Sequence, residues 1–489
     1  MGSFPFIIVF LILCYTKNAN HARPTEKLSY NFIPAGMAFP VGIMYNTKKI
    51  PGGFSVNKKY LKRYPLGNAK RGWKQDKFIL STFSPASLDY HHFDPNGVDH
   101  TRRAVQTCAD AGFNLLELGW ARPDVSEAAV QMCEALGIDI IYQNLSLFGG
   151  MQGNIWSKDP DQGIRDCVER FRKYRHVLGF YVWDEPLTKE QITLARTQMD
   201  AFEALAPNDL LFTVAIPSYN ADYTHQNGLF ADYLERYVNE IEPPVLSLDY
   251  YPVGMREHDT TRQLDESLIW CDLGLMKQLA AKKNMPMWFY YQGQNLHHVD
   301  FFIFPMVRLM MHAGILYGAK GLQHYTALEA VTRKEDGGHD IFFEDQKAIH
   351  AQLHKLGNTL MALDCKRVIH DDSLLPGCPY IEGLRNNMTE SELLAGTLPY
   401  RTSVSELEDA YGNRYLIVLN RDYLTEKTVQ LQLKESSHVY AVSKEDGEQK
   451  LMGTSLQTLD LQLIPGDMAL LRIQSATEDP YLIDYILEK

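Results

Sequence analysis

Val177-Leu178-Gly179-Phe180-Tyr181-Val182-Trp183-Asp184-Glu185-Pro186 is the stretch on which the fold turns. An apolar run closed by two carboxylates and a proline predicts a strand over 177–184 that is covered on both sides. It stops abruptly, because Pro186 has no N–H to continue a ladder. Similar runs recur on either side at Phe78–Ser84, Asn114–Trp120, Ile138–Asn144, Leu211–Ser218, Val245–Tyr251, Met287–Gln292 and Gly321–Thr326. Between them lie helical segments such as Val98–Ala111, Ser126–Leu136, Lys189–Leu205, Leu229–Glu240, Leu268–Lys283 and Phe304–Tyr317, with a last one near Gln346–Met361. Several stop at a glycine, as helices should: Gly112, Gly137 and Gly318. Strands alternating with helices in this number close a (β/α)8 TIM barrel, so the fold class is α/β.

Past about Leu363 the helical period gives way to alternating runs, Tyr415–Leu419, Thr428–Leu433, His438–Val442, Thr458–Leu463 and Met468–Ile473, broken by turn residues such as Gly412-Asn413 and Pro465-Gly466. That pattern predicts an antiparallel β-sandwich domain. The chain then divides into a leader 1–22, an irregular N-terminal collar 23–75, a barrel 76–363 and a C-terminal sandwich 364–489. The leader carries the apolar run Phe4–Cys14, too short to span a bilayer at ~20 residues and suited to the h-region of a signal peptide. An exported protein, periplasmic or extracellular, is therefore expected. Leu11-Ile12-Leu13-Cys14 comes near a lipid-attachment box but has Leu where a small residue precedes the Cys. No other stretch is apolar enough for a transmembrane segment.

Among the 489 residues, 48 Lys and Arg face 60 Asp and Glu, a net charge of −12 that has the wrong sign for a nucleic-acid partner. Cys14 would leave with the signal; the other cysteines form no C-x-x-C, so buried free thiols are expected, with Cys365 and Cys378 a candidate pair. Neither G-x-G-x-x-G after a strand nor a Walker loop is present, so no cofactor is implied.

In a TIM barrel the working side chains stand at the C-terminal ends of the strands. Those ends carry Glu117 and Trp120, Gln143 and Asn144, Asp184 and Glu185, Ser218, Asp249 with Tyr250 and Tyr251, Gln292 and Gln294, then His324 and Tyr325. Carboxylates and amides bond hydroxyls, and aromatic faces stack on the apolar face of a pyranose, so the ring points to an oligo- or polysaccharide ligand. Trp183 and Trp120 are the expected stacking platforms. Asp184 and Glu185 repel each other beside Trp183, which raises the pKa of one so that it can donate a proton near neutrality. The competing reading is that Asp184 caps the next helix and Glu185 complements its dipole. His297-His298 with Asp300, and His91-His92 before Asp94, look like metal clusters, but adjacent loop histidines point apart and no metal is expected. Asn144-Leu145-Ser146 and Asn387-Met388-Thr389 match glycosylation acceptors.

Tyr181-Val182-Trp183-Asp184-Glu185-Pro186, the sixth strand Leu246-Ser247-Leu248-Asp249-Tyr250-Tyr251-Pro252-Val253 and the Trp- and Tyr-rich seventh resemble the barrel glycoside hydrolases. The likeness is greatest to the clan whose fourth strand ends in Asn-Glu-Pro, where the Glu is the acid/base. It spans roughly residues 76–475 in architecture, but its motif is only a few residues long, with Asp184 in place of the Asn. The resemblance implies a glycosidase with Glu185 as acid/base. The clan's nucleophile, a Glu ending the seventh strand, is missing from Trp288-Phe289-Tyr290-Tyr291-Gln292-Gly293-Gln294-Asn295, and a Gln cannot form a glycosyl ester.

Three completions stay open. Asp249, ranked first, is a nucleophile at ~5 Å from Glu185 or a base at ~6.5–9.5 Å. Alternatively Asp184-Glu185 works as in the hexosaminidases with an adjacent Asp-Glu pair: the Glu is the acid, the Asp steadies the substrate's attacking acetamido group, and Tyr250 or Tyr251 holds its carbonyl. Thirdly, Glu117 or Glu329 moves in from its loop. Trp183, Glu117, Trp120, Asn144, Tyr250, Tyr251, Trp288, Gln292 and His324 are expected to bind substrate. The alternative from another class is a non-catalytic carbohydrate-binding barrel.

Overall fold

The computed structural model describes residues 66–83, 97–119, 123–144, 159–218, 230–254, 264, 266, 268–374 and 388–480. The Phe4–Cys14 run, most of the expected collar, His91-His92, Trp120, Cys378 and Asn387 lie outside them. Eight parallel strands form one sheet: β1 (Ile79–Phe83), β2 (Leu115–Gly119), β3 (Asp139–Gln143), β4 (Val177–Asp184), β5 (Leu210–Val214), β6 (Leu246–Tyr250), β7 (Met287–Gln292) and β8 (Gly321–Tyr325). They pair in the order β5-β4-β3-β2-β1-β8-β7-β6. The ring closes where Ala215 bridges Leu248 and its N–H donates to the Ser247 carbonyl at 2.9 Å.

A helix follows each strand: α1 (Gly97–Asp110), α2 (Pro123–Leu136), α3 (Pro160–Phe171), α4 (Lys189–Leu205), α5 (Phe230–Ile241), α6 (Ile269–Lys283), α7 (Phe304–Leu316) and α8 (Phe343–Ala362). The fold is a TIM barrel. β5 stops at Val214 instead of continuing to Ser218, because Ala215 crosses to β6 and Pro217 has no N–H to offer a ladder. Helix α3 is additional to the helical segments named above: Asp159 caps it, Pro160 opens it, and Ile164, Cys167, Val168 and Phe171 repeat at helical spacing. None of the described helices is long and apolar enough to cross a membrane.

The pleat divides the apolar side chains in two. Leu115, Ile141, Tyr181, Phe212, Val214, Trp288 and Tyr290 fill the barrel, while Leu116, Ile140, Phe180, Phe289 and Leu322 pack under the helices. Residues 66–77 cover the N-terminal end, where Trp73 meets Trp288 edge-on with ring centroids 6.0 Å apart and Trp288 Nε1 donates to Gln75 Oε1 at 2.9 Å.

The C-terminal part is antiparallel: β9 (Asp364–His370), β10 (Leu394–Ala395), β11 (Thr402–Glu408), β12 (Arg414–Asn420), β13 (Lys427–Val442), β14 (Gln449–Leu463) and β15 (Met468–Ser475). Two expected strands, Thr428–Leu433 and His438–Val442, are one strand whose register against β14 shifts after Gln432. β12 is apolar on both faces for a reason. Leu416 and Val418 line the sandwich's own core, and Tyr415, Ile417 and Leu419 belong to the cluster that runs into the barrel. At that junction Arg308 donates to the Pro465 carbonyl at 3.0 Å. Only glycine fits at 466, since a Cβ there would lie 2.5 Å from the Pro305 carbonyl oxygen. Cys108, Cys133, Cys167, Cys271 and Cys365 are free thiols.

Candidate active site

The site is built on a fault in β4. Pairing with β5 slips between Tyr181 and Trp183, so the strand carries a bulge at Val182. The extra residue turns Val182 and Trp183 together toward the helices and returns Asp184 to the inward face above Tyr181, whose hydroxyl donates to Asp184 Oδ1 at 2.9 Å. Glu185 follows with φ of +46°, a left-handed conformation that costs energy for a residue with a Cβ. Its N–H donates to the Val214 carbonyl at 3.1 Å. The helix-cap reading of this pair is displaced: Thr188 caps α4 and closes a capping box with Gln191, which frees Asp184 and Glu185 from that duty.

Three further strands bring carboxyls or their partners to the same space. Asp249 on β6 is buried and bonds with Glu185 and Tyr251. Glu117 on β2, 2 % exposed, accepts from Ser81 Oγ on β1 at 2.9 Å, from Gln323 Nε2 on β8 at 2.9 Å and from the Tyr290 hydroxyl on β7. Gln323 is oriented in turn by Ser247 Oγ at 2.6 Å. Among the described residues no Lys or Arg forms an ion pair with Glu117, Asp184, Glu185 or Asp249.

Crowding carboxyls in a buried place without cations drives protons onto them. Burial pushes Glu117 up to about 8, against the hydrogen bonds from Gln323 and Ser81. Burial raises Asp184 to about 6, against the hydrogen bond from Tyr181. Burial, then repulsion from Asp249 and Asp184, holds Glu185 well above the usual range, and Asp249 is raised as well. Near neutrality Glu117 is therefore protonated and Asp184 ionised, Asp249 sits at about 7, and crowding favours the proton on Glu185. Glu185 and Asp249 are in hydrogen-bonding contact, closer than the ~5 Å or ~6.5–9.5 Å that retaining or inverting glycosidases hold between their carboxyls.

The aromatic wall is not the expected one. Tyr251 stacks on Tyr325 with centroids 4.7 Å apart, and Phe83 stacks on the other side of the wall at 5.6 Å. All three are half-buried at the barrel mouth. Trp183 and Tyr250 are instead buried under the helices, and Trp288 lies at the opposite end of the barrel against Trp73. His324 also faces outward, wedged edge-on between Phe113 and Tyr291; burial depresses its pKa to about 3 and leaves it neutral. A Cβ at Gly293 would collide with that ring at 2.1 Å. Asn144 bonds Cys167 of α3, and the Gln292 amide is consumed by Val253 N (2.8 Å), Val253 O (3.1 Å) and Gln294 O (3.3 Å). Glu329 is engaged by Gln294 at 2.8 Å and Lys334 at 3.0 Å. His297 and His298 are exposed, and among the described residues no group of three or more His, Cys, Asp or Glu is arranged to hold a metal.

No protein-family model matches the chain, and no curated protein matches it by sequence. Among solved structures it is similar to the endo-1,4-beta-mannanase of Rhizomucor miehei, at 8 % identity over 59 % of this chain and 99 % of that one, with a TM-score of 0.42. It is also similar to the catalytic domain of xylanase C from Talaromyces cellulolyticus, at 10 % identity over 84 % and 99 %, with a TM-score of 0.40. The same holds for an endo-beta-1,6-glucanase, at 11 % over 84 % and 94 %, also with a TM-score of 0.40. The chemistry of the site rests on its own residues.

Proposed function

We propose that the protein is a glycoside hydrolase acting on an oligo- or polysaccharide, with Glu185 as its general acid/base. The observation that carries this is Glu185 displayed in a strained turn at the C-terminal mouth of the barrel, buried beside Asp184 and Asp249, a crowding that favours its protonated form. Glu185 gives its proton to the glycosidic oxygen as the bond to C1 breaks. Asp249, buried beside Glu185, takes the role of nucleophile or base once the sugar has parted the two. The Phe83, Tyr325 and Tyr251 faces supply the stacking surface. The Phe4–Cys14 run supports an exported protein.

The contact between Glu185 and Asp249 favours a second reading for the other carboxylate. A pair that touches leaves no room for a sugar between its members, whereas substrate assistance needs only Glu185 as acid, Asp184 to bond the acetamido N–H, and Tyr251 near its carbonyl.

Chromophore release from a panel of aryl glycosides that includes N-acetylhexosaminides tests both. Loss of roughly two orders of magnitude or more in Glu185→Gln, with binding kept, is expected. Cleavage confined to N-acetyl sugars selects Asp184; cleavage of plain hexosides, abolished in Asp249→Asn, selects Asp249. Survival of activity in Glu185→Gln refutes the assignment, and binding without turnover of any glycan makes the barrel a carbohydrate-binding protein.

A further inference from the structure

Beyond Val214 the chain leaves the sheet, yet each N–H it presents on the way to Ser218 is taken by a different element. Ala215 donates to Ser247 O of β6 at 2.9 Å, Ile216 to the Tyr233 hydroxyl of α5 at 3.2 Å, and Ser218 to Asp272 Oδ2 of α6 at 3.1 Å. This short wall is where the two reacting strands are hung. Glu185 N–H donates to Val214 O, and Ser247, which accepts from Ala215, lies on β6 two residues before Asp249. Tyr233 also donates to the Pro186 carbonyl at 3.1 Å, so one hydroxyl ties the Glu185 turn to the wall. Tyr233 and Asp272 are buried, at 0 % and 1 % exposure.

A left-handed Glu185 persists only where its surroundings over-determine it. The bonds from Tyr233 and Val214 are what does so on the β5 side, and Asp272 fixes the far end of the same wall. Resting on the glycosidase reading for its catalytic meaning, we propose that Tyr233 and Asp272 are positioning residues: through the 215–218 wall they hold the Glu185 carboxyl against Asp249. Neither is a catalytic residue, since each acts through backbone. The charged or titratable groups facing Glu185 are Asp184 of β4 and Asp249 of β6; Glu117, Tyr181 and Tyr237, the last a neutral phenol, face Asp184, and Asp272 faces Asp249 from α6.

The test is the titration of Glu185 in the full chain, followed by NMR of glutamate labelled with 13C at the carboxyl and assigned by the signal lost in Glu185→Gln. Tyr233→Phe and Asp272→Leu are compared with Tyr237→Phe, a buried tyrosine on the same helix whose hydroxyl meets Thr213 instead. In Tyr233→Phe and Asp272→Leu the Glu185 titration is expected to move down by roughly half a unit or more, because part of its elevation comes from Asp249. On any glycoside the wild type cleaves, kcat falls about 10–100-fold with KM within about 3-fold. Tyr237→Phe changes neither.

A folded Tyr233→Phe whose Glu185 titrates as in the wild type overturns the proposal, and a loss of thermal stability alone counts against it equally. If Tyr233→Phe does not fold, Asp272→Leu decides by the same readout. Because the titration needs no turnover, a wild type that cleaves nothing refutes the glycosidase reading without deciding this one.

Discussion

Glu117→Gln should make the protein more stable at neutral pH and leave it unchanged in acid. The folded state holds the Glu117 carboxyl at about 8 against an ordinary 4.5. Below 4.5 both states are protonated and the group contributes nothing to the difference. Between 4.5 and 8 the unfolded chain has lost a proton that the folded chain retains, so folding stability falls as pH rises. At 1.36 kcal/mol per unit the penalty is under about 1 kcal/mol at roughly pH 5 and about 4 kcal/mol at roughly pH 7.5. Glutamine keeps the shape and an oxygen for Ser81 and Gln323 but does not ionise. The stability gap between variant and wild type should therefore widen by about 3 kcal/mol across that interval. Urea unfolding followed by the fluorescence of Trp73 and Trp288, both inside the barrel, measures it. A gap that stays constant, or widens toward acid, refutes the picture of a carboxyl kept neutral by burial.

Activity should follow a bell in pH, with an acid limb near 6 as Asp184 loses its charge and a basic limb, displaced upward from the ordinary carboxylate range, as Glu185 loses its proton; a kcat profile checks both. Thr188→Ala should cost about 1 kcal/mol in denaturant unfolding and leave kcat unchanged, since Thr188 and not Asp184 caps α4. Tyr325→Ala should raise KM about 10-fold through loss of its stacking face, whereas Trp288→Phe should lower the melting temperature with KM and kcat intact.

The barrel was legible because a parallel sheet covered on both sides demands nearly continuous apolar strands, and eight such runs separated by helices have one common closure. The same property hid the site. When both faces of a strand are apolar, no alternation says which parity points inward, and a one-residue error moves every side chain to the other face. Four expected residues stand one position from the inward one: Trp183 beside Asp184, Tyr250 beside Tyr251, His324 beside Tyr325 and Asn144 beside Gln143.

The phase was nonetheless written in the strands. A polar side chain inside an otherwise apolar strand is tolerated where other polar groups can meet it, and here that is the barrel interior. Ser81, Glu117, Ser247 and Gln323 form one hydrogen-bonded group across β1, β2, β6 and β8. Counting by two from Gln323 reaches Tyr325, and from Ser247 it reaches Asp249 and then Tyr251. The rule fails only in β4, where Tyr181 and Asp184 both point inward although three positions apart. Only the bulge at Val182 reconciles them, and nothing in Tyr181-Val182-Trp183-Asp184 announces it. The residue that this irregularity delivers to the mouth is Asp184, with Glu185 in its left-handed turn immediately after, so a break in strand logic falls where the proposed chemistry sits.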